Sequence, residues 1–176
     1  MFNRVMRCAA GLLVLAAASW PAWAEESPIR FVSGPFAGVA AKDAKHTEDM
    51  ASEGSGTVRT DSAAFSTRQL FAHVEWARLP GGYRWRDSDR IASLSQWVQR
   101  ALKATAFTVV RGDSTSVNGY RAQYRIITLT GADERCGVFD LQRANHLIQG
   151  VVCGVGGEVP LMAVLQGLSI DNVIGP

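Results

Sequence analysis

The chain has 176 residues, of which 47% are hydrophobic and 19% are charged. This composition is ordinary for a folded globular protein and excludes a wholly disordered or a collagen-like chain. The 18 basic and 16 acidic residues give a formal net charge of +2, and the length favours one domain, at most with an appendage.

Residues 1–24 have the pattern of a cleaved export signal. Arg4 and Arg7 supply a positive start, residues 9–20 form an apolar run, and Ala22-Trp23-Ala24 is a small-x-small cleavage site. A bilayer span needs about 20 apolar residues, so the run is too short for a membrane anchor. We therefore expect cleavage near Ala24, a periplasmic or secreted location, and no transmembrane segment in the mature chain.

Removal of this signal changes the charge and leaves two predicted regions. The signal holds two arginines and no acidic residue, so the mature chain is formally neutral, which argues against a nucleic-acid partner. Residues 40–64 are rich in Ala, Ser, Gly and charge but poor in large apolar side chains, which predicts a mobile loop or linker. We therefore expect an N-terminal extension with a flexible linker over residues 25–67 and an α+β domain over residues 68–176.

The hydrophobic periodicity of the mature chain predicts a series of strands and helices. Residues 68–79 alternate between apolar and polar side chains, as in a strand, and Asn118-Gly119 between two extended segments is a strong hairpin signal. In chain order, the pattern predicts a short edge strand, a strand, a helix, a hairpin and a last helix, over residues 29–32, 68–79, 91–102, 107–130 and 159–168.

Two cysteines of the mature chain are predicted to form a disulfide across a hairpin. Residues 134–142 and 146–154 read as strands, and with a two-residue loop Arg143 pairs with His146. Counting back along both strands then puts Cys136 directly opposite Cys153, which suits a disulfide in an exported protein.

The turn type of this hairpin stays open at the level of sequence, because a four-residue loop over 143–146 keeps the same opposition but inverts the hydrogen-bond parity. The face with the cysteines also carries Asp140, Gln142 and Gln149, so it is predicted to be less buried than the opposite, apolar face. A redox-active C-x-x-C motif is absent, which favours a structural disulfide over a reactive thiol.

These elements predict an α+β fold. Its sheet is an antiparallel four- to five-stranded meander packed with two helices, and the last two strands form the disulfide-linked hairpin.

The densest cluster of basic and aromatic residues precedes the first helix. It could contact an anionic or glycan ligand or a protein partner, and its members are Tyr83, Arg84, Trp85, Arg86 and Arg90. The alternative is a solvated start of the helix in which the arginines pair with Asp87 and Asp89, since exposed ion pairs are common and contribute little.

A catalytic site has weaker support in the sequence. His73 and Glu75 share one strand face and could act as an acid–base pair. The H-x-E spacing of zinc deaminases lacks its P-C-x-x-C partner, and no H-E-x-x-H motif is present. We therefore predict no metal and no cofactor.

Three functions follow from these observations. The preferred one is an exported, non-catalytic binding or accessory domain of the bacterial cell envelope, with another envelope protein as its partner. The alternative is a small-ligand protein that binds an anion or a glycan through the Arg/Trp loop. The third is a small periplasmic enzyme that uses His73 and Glu75.

Overall fold

The computed structural model describes residues 27–50, 56–85, 94–104, 106–131, 134–171 and 173–174. The predicted export signal lies outside these residues. In chain order, the elements of the described part are β1 (Ile29–Phe31), a 3-10 turn (Gly34–Phe36), β2 (Lys42–Met50), β3 (Thr57–Ser66), β4 (Leu70–Arg78), α1 (Leu94–Leu102), β5 (Phe107–Val117), β6 (Tyr120–Leu129), β7 (Glu134–Arg143), β8 (His146–Val155), α2 (Leu161–Gly167) and β9 (Leu168–Ile170).

Most of the described strands belong to one antiparallel sheet. Its seven strands run in the order β2-β3-β4-β8-β7-β6-β5, and β1 pairs with β9 in a separate two-stranded sheet. The predicted fold class is wrong, because the protein is mostly β and its main sheet has seven strands rather than four or five. The consecutive hairpins from β5 to β8 are present inside this larger sheet.

Two strands lie where the composition predicted a linker. β2 pairs with β3 over most of its length, and β3 pairs with β4, so the prediction is wrong for these residues. Every residue of β2 is exposed, and its register shifts between Lys42 and Lys45. Charged side chains and irregular register are ways in which an edge strand avoids pairing with other chains. An edge strand of this kind has the composition of a linker because it buries no apolar face.

The two faces of the main sheet are covered by different elements. On one face, β1, β9, α2 and the 3-10 turn pack against the sheet, and the rings of Phe31 and Phe65 meet edge to face at 4.8 Å. Gly34 has a φ of +76°, and a Cβ there would lie 2.7 Å from the Ala163 carbonyl oxygen, so glycine lets the 3-10 turn approach α2. On the other face, Val98 of α1 belongs to an apolar cluster with Ile127, Val138 and Val151.

Two tight turns set the register of the last hairpins. Asn118 and Gly119 both have positive φ, at 48° and 76°, which matches the type I′ turn that the sequence predicts. Arg143 pairs with His146, which confirms the two-residue loop between β7 and β8. Ala144 takes the positive φ in this loop, at 51°.

The predicted disulfide is confirmed. Cys136 and Cys153 lie directly opposite each other with their Cα atoms 4.1 Å apart, and they are bonded. The face with the cysteines was predicted to be less buried, and this holds only in part. Cys136, Cys153 and Asp140 are 0%, 6% and 1% exposed, whereas Gln142 and Gln149 on the same face are half-buried. Both cysteines belong to the apolar cluster that contains Val98 of α1, so this helix covers the disulfide.

Within the described ranges, no helix is long and apolar enough to cross a membrane.

Candidate anion-binding site

The candidate site surrounds the turn between β7 and β8, at one end of the main sheet. The Asn145 carbonyl oxygen accepts hydrogen bonds from the Leu79 amide at 3.0 Å and from the Trp85 indole N–H at 2.9 Å. The Asn145 side-chain amide donates to the Leu79 carbonyl oxygen at 2.8 Å. These three bonds fix the segment after β4 to the turn.

Trp85 is held against this turn at two points. Besides its indole hydrogen bond, its carbonyl oxygen accepts a hydrogen bond from the Gln142 side-chain amide at 2.7 Å. Trp85 is half-buried, whereas the preceding Arg84 is exposed. These two hydrogen bonds therefore fix the position of Trp85, and the exposed Arg84 is its neighbour in the chain.

A cleft of about 300 Å³ opens between this loop and the ends of β6 and β7. We call it the arginine cleft, and its described lining consists of Arg84, Trp85, Arg121, Gln142, Arg143 and Ala144. None of these residues is acidic, and three of them carry guanidinium groups. The Arg143 guanidinium also lies over the Tyr120 ring, 5.8 Å from its centroid. Guanidinium groups bind carboxylates, phosphates and sulfates through paired N–H donors.

The predicted contact residues are only partly found at this cleft. Arg84 and Trp85 line it, and Tyr83 is exposed next to them in the chain. Arg86 and Arg90 lie outside the described residues, as do Asp87 and Asp89 of the alternative interpretation.

Arg121 and Arg143 were missed by the sequence reasoning. Each follows or precedes a tight turn, and alternate turns of a meander lie at the same end of the sheet. The sequence could therefore have predicted that Arg121 and Arg143 lie at the same end of the sheet. It does not show which loop folds back over the two strand ends.

His146 lies next to the cleft and is set up as a neutral imidazole. Its Nδ1 accepts the Trp76 indole N–H at 3.1 Å, and the two ring planes differ by 16°. Burial lowers the pKa of His146 below its usual 6.5, and the positive charges of Arg78 and Arg143 lower it further. An unprotonated Nδ1 is required for this hydrogen bond, so the lowered pKa and the geometry agree.

Tyr120, beneath Arg143, is an anchor rather than a titrating group. Burial raises its pKa, and the Arg143 charge opposes this effect. Its hydroxyl donates to the Val173 carbonyl oxygen at 3.2 Å, which ties the end of the chain to the start of β6.

The predicted acid–base pair lies elsewhere, on the face that carries α1. His73 Nε2 is 3.4 Å from Glu75 Oε1, so the structure does bring the two side chains together. Arg100 of α1 binds the other carboxylate oxygen of Glu75 at 2.9 Å. This contact links α1 to the sheet.

A second histidine cluster lies on the edge strands. His46 Nδ1 is 2.9 Å from Asp61 Oδ1, and its Nε2 is 3.6 Å from Glu48 Oε1. The hydrogen bond to Asp61 is the main cause that raises the pKa of His46. Among the residues that the structure describes, no group of three or more His, Cys, Asp or Glu side chains is arranged to hold a metal ion.

Comparison with known protein families and with curated proteins found no match to the chain.

Proposed function

We propose that the protein is an exported, non-catalytic binding domain that holds an anionic ligand in the arginine cleft. The observation that carries this proposal is a cleft whose described lining holds three arginines from three separate elements and no acidic residue. Arg84 comes from the loop after β4, Arg121 from the start of β6 and Arg143 from the end of β7. An acidic group in the cleft would receive charge-assisted hydrogen bonds, which are stronger than neutral ones.

The other described lining residues fit binding better than catalysis. Gln142 and Trp85 are fixed by their mutual hydrogen bond, so the cleft is preorganised and less ordering is required when a ligand binds. Arginine, glutamine, tryptophan and alanine side chains do not exchange protons near neutral pH, whereas general acid–base catalysis requires a group that does. The half-buried Trp85 ring offers an apolar surface for the remainder of the ligand, such as a sugar ring.

The proposed location rests on the N-terminal sequence and on the disulfide. Residues 1–24 have the charged start, apolar run and A-x-A site of an export signal. The buried Cys136–Cys153 bond is consistent with an oxidising compartment outside the cytoplasm.

Calorimetry and thermal unfolding with simple anions test the binding function. Inorganic sulfate, inorganic phosphate and galacturonic acid should bind and raise the melting temperature, whereas neutral galactose should not. Each of Arg84→Gln and Arg143→Gln should weaken binding about tenfold, because each removes a charged hydrogen-bond donor.

Arg135→Gln is the matched control for Arg143→Gln. Both residues are exposed, lie on β7 and share a face, but they are at opposite ends of the strand. The control should bind like the wild-type protein. Absence of binding by all three anions, or equal binding by the cleft variants, would overturn the proposal.

A further inference from the structure

Four basic residues face one another across four adjacent strands. Arg59 of β3 is directly opposite Arg78 of β4, Arg78 is opposite His146 of β8, and His146 is opposite Arg143 of β7. We call these four residues the basic row. Because directly opposite residues share a face and adjacent strands are about 4.8 Å apart, the row is about 14 Å long.

The basic row works against the stability of the sheet. Like charges directly opposite each other on neighbouring strands repel, whereas opposite charges at such positions stabilise the pairing. Arg59 and Arg78 are such a directly opposite pair of like charges, and no carboxylate stands in the register between Arg59 and Arg143. Arg78 and Arg143 lie on either side of the neutral His146, and their charges disfavour its protonation. An anionic partner along the row would relieve this repulsion.

The arginines of the row are held in place with donors left for a ligand. The Arg78 guanidinium lies over the Trp76 ring, 5.5 Å from its centroid, and Arg143 lies over Tyr120 in the same way. A guanidinium over a ring keeps its in-plane N–H donors available for other partners. Arg59 donates through Nε to Glu48 at 2.7 Å, and both of these side chains are about half exposed.

The row connects the arginine cleft with a second cleft. Arg59 and Arg78 line an opening of about 500 Å³ together with Asn145, while Arg143 and Ala144 line the arginine cleft. Ala144 and Asn145 are consecutive residues of the β7–β8 turn, so the two clefts lie on either side of one tight turn. The basic surface therefore extends along the end of the sheet instead of closing around a single point.

We propose that the basic row and the arginine cleft together bind a linear anionic polysaccharide, with acidic groups along the chain paired to Arg59, Arg78 and Arg143. This inference rests on the proposed function and names its ligand class. One strand spacing separates Arg59 from Arg78, and two separate Arg78 from Arg143, which is about 5 Å and about 10 Å at the backbone. A single small anion cannot span the row, whereas a chain with repeated acidic groups can.

A polysaccharide fits this surface better than a single-stranded nucleic acid. Proteins that bind single strands without sequence preference stack the bases on exposed aromatic rings. The aromatic rings of the row are buried, with Trp76 only 7% exposed and Tyr120 only 1% exposed, and each already lies beneath an arginine. The row thus offers arginine charges about 5 Å and about 10 Å apart, without a series of exposed rings on which successive bases could stack.

Titration calorimetry with galacturonic acid and its oligomers tests this inference. For the wild-type protein, the affinity should rise at least tenfold from the monomer to the nonamer, because added acidic units reach further arginines of the row. Arg78→Gln should weaken nonamer binding about tenfold and leave monomer binding unchanged, whereas Arg84→Gln should weaken both. Arg68→Gln, in the bend that precedes the opposite end of β4, is the control and should bind both ligands normally.

The outcomes distinguish this inference from the proposed function. If the monomer binds but affinity does not rise with length, or if nonamer binding is unchanged in Arg78→Gln and Arg59→Gln, the role of the basic row is contradicted, whereas anion binding in the arginine cleft is not. Failure of every acidic ligand to bind overturns both. Equal affinity for a single-stranded oligonucleotide of the same charge would contradict the choice of a polysaccharide.

Thermal unfolding of Arg78→Gln and Arg78→Lys checks that the variants are folded. The lysine variant should recover part of the nonamer affinity.

Discussion

The two ends of the main sheet differ in the side chains that they carry, which are apolar and buried at one end and basic at the other. At one end, Cys136 and Cys153 are bonded beneath α1 in a buried apolar cluster. At the other end, the basic row places Arg59 directly opposite Arg78 and sets Arg78 and Arg143 on either side of the neutral His146. Both ends are carried by the same two central strands, β7 and β8, so the contrast does not arise from a difference in the sheet itself.

The two ends contribute to the stability of the fold with opposite sign. A buried disulfide and apolar packing stabilise the fold with or without a ligand, whereas opposed like charges destabilise it unless an anion is bound. The stabilisation at the disulfide end therefore offsets the repulsion at the other end. Variants that act on one end should leave the property of the other end unchanged.

Removal of the disulfide should have the largest effect. The double variant Cys136→Ala/Cys153→Ala should lower the free energy of unfolding by about 3 kcal/mol, because the bond closes a loop with a sequence separation of 17. Urea unfolding under non-reducing conditions measures this loss. Under native conditions the affinity for galacturonic acid should be unchanged, and a parallel loss of affinity would show that the two ends are not independent.

The pH dependence of stability should distinguish the two histidine environments. Burial and two neighbouring arginines lower the pKa of His146 below 6.5, so the unfolded chain takes up a proton before the folded chain does. Stability should therefore fall as the pH decreases below 6.5, and His146→Asn should reduce this loss. Urea unfolding between about pH 5 and about pH 8 measures the slope.

His46 should behave in the opposite sense. Its hydrogen bond to Asp61 raises its pKa, so its contribution is fully present below 6.5 and is lost as the pH rises through the raised value. His46→Asn should therefore be less stable than the wild-type protein at low pH and match it at high pH. An anionic oligomer on the basic row should shift the titration of His146 upward in NMR. An unchanged titration of His146 at saturating oligomer would place the ligand outside the basic row.

The smallest expected effect concerns the ion pair at one end of the row. Glu48→Gln should release the Arg59 guanidinium and raise the affinity for the nonamer about two- to threefold, as expected for one exposed pair. Unfolding should change by no more than about 0.5 kcal/mol, because exposed ion pairs contribute little. Asp49→Gln, on the same strand, is the control, and a weaker rather than a tighter complex in Glu48→Gln would contradict the role given to Arg59.

The sequence predicts local pairing well where two signals agree. Asn118-Gly119 marks the β5–β6 hairpin, and the cysteine spacing gives the correct register of β7 and β8. β2 was missed because an edge strand that buries no apolar face has no periodicity to detect, and its stability comes from pairing along the sheet. β3 lies between β2 and β4 but buries only Ala63 and Phe65, near its end, so its alternation is short. The burial of the disulfide was missed because it depends on where α1 packs.

The candidate site, too, could be predicted from the sequence only in its local contacts. The local cluster around Arg84 and Trp85 was visible in the sequence, and so was the pairing of Arg143 with His146. The partnership of Arg78 and Arg59 with that pair requires β4 to lie beside β8, a contact between residues far apart in the chain. No pattern within either segment encodes that neighbour, so the basic row becomes visible only in the folded sheet.

Amide NMR with an acidic oligosaccharide tests the central claim most directly, because it reports on both ends of the sheet in one spectrum. On addition of the galacturonic acid nonamer, the largest shift changes should fall at the turn end, in residues 57–59, 78–85, 119–121 and 142–146. Residues around the disulfide, at 66–71, 134–137 and 152–155, should be unaffected. Shift changes concentrated around the disulfide, or no changes at either end, would contradict the claim that the arginine end of the sheet is the binding surface.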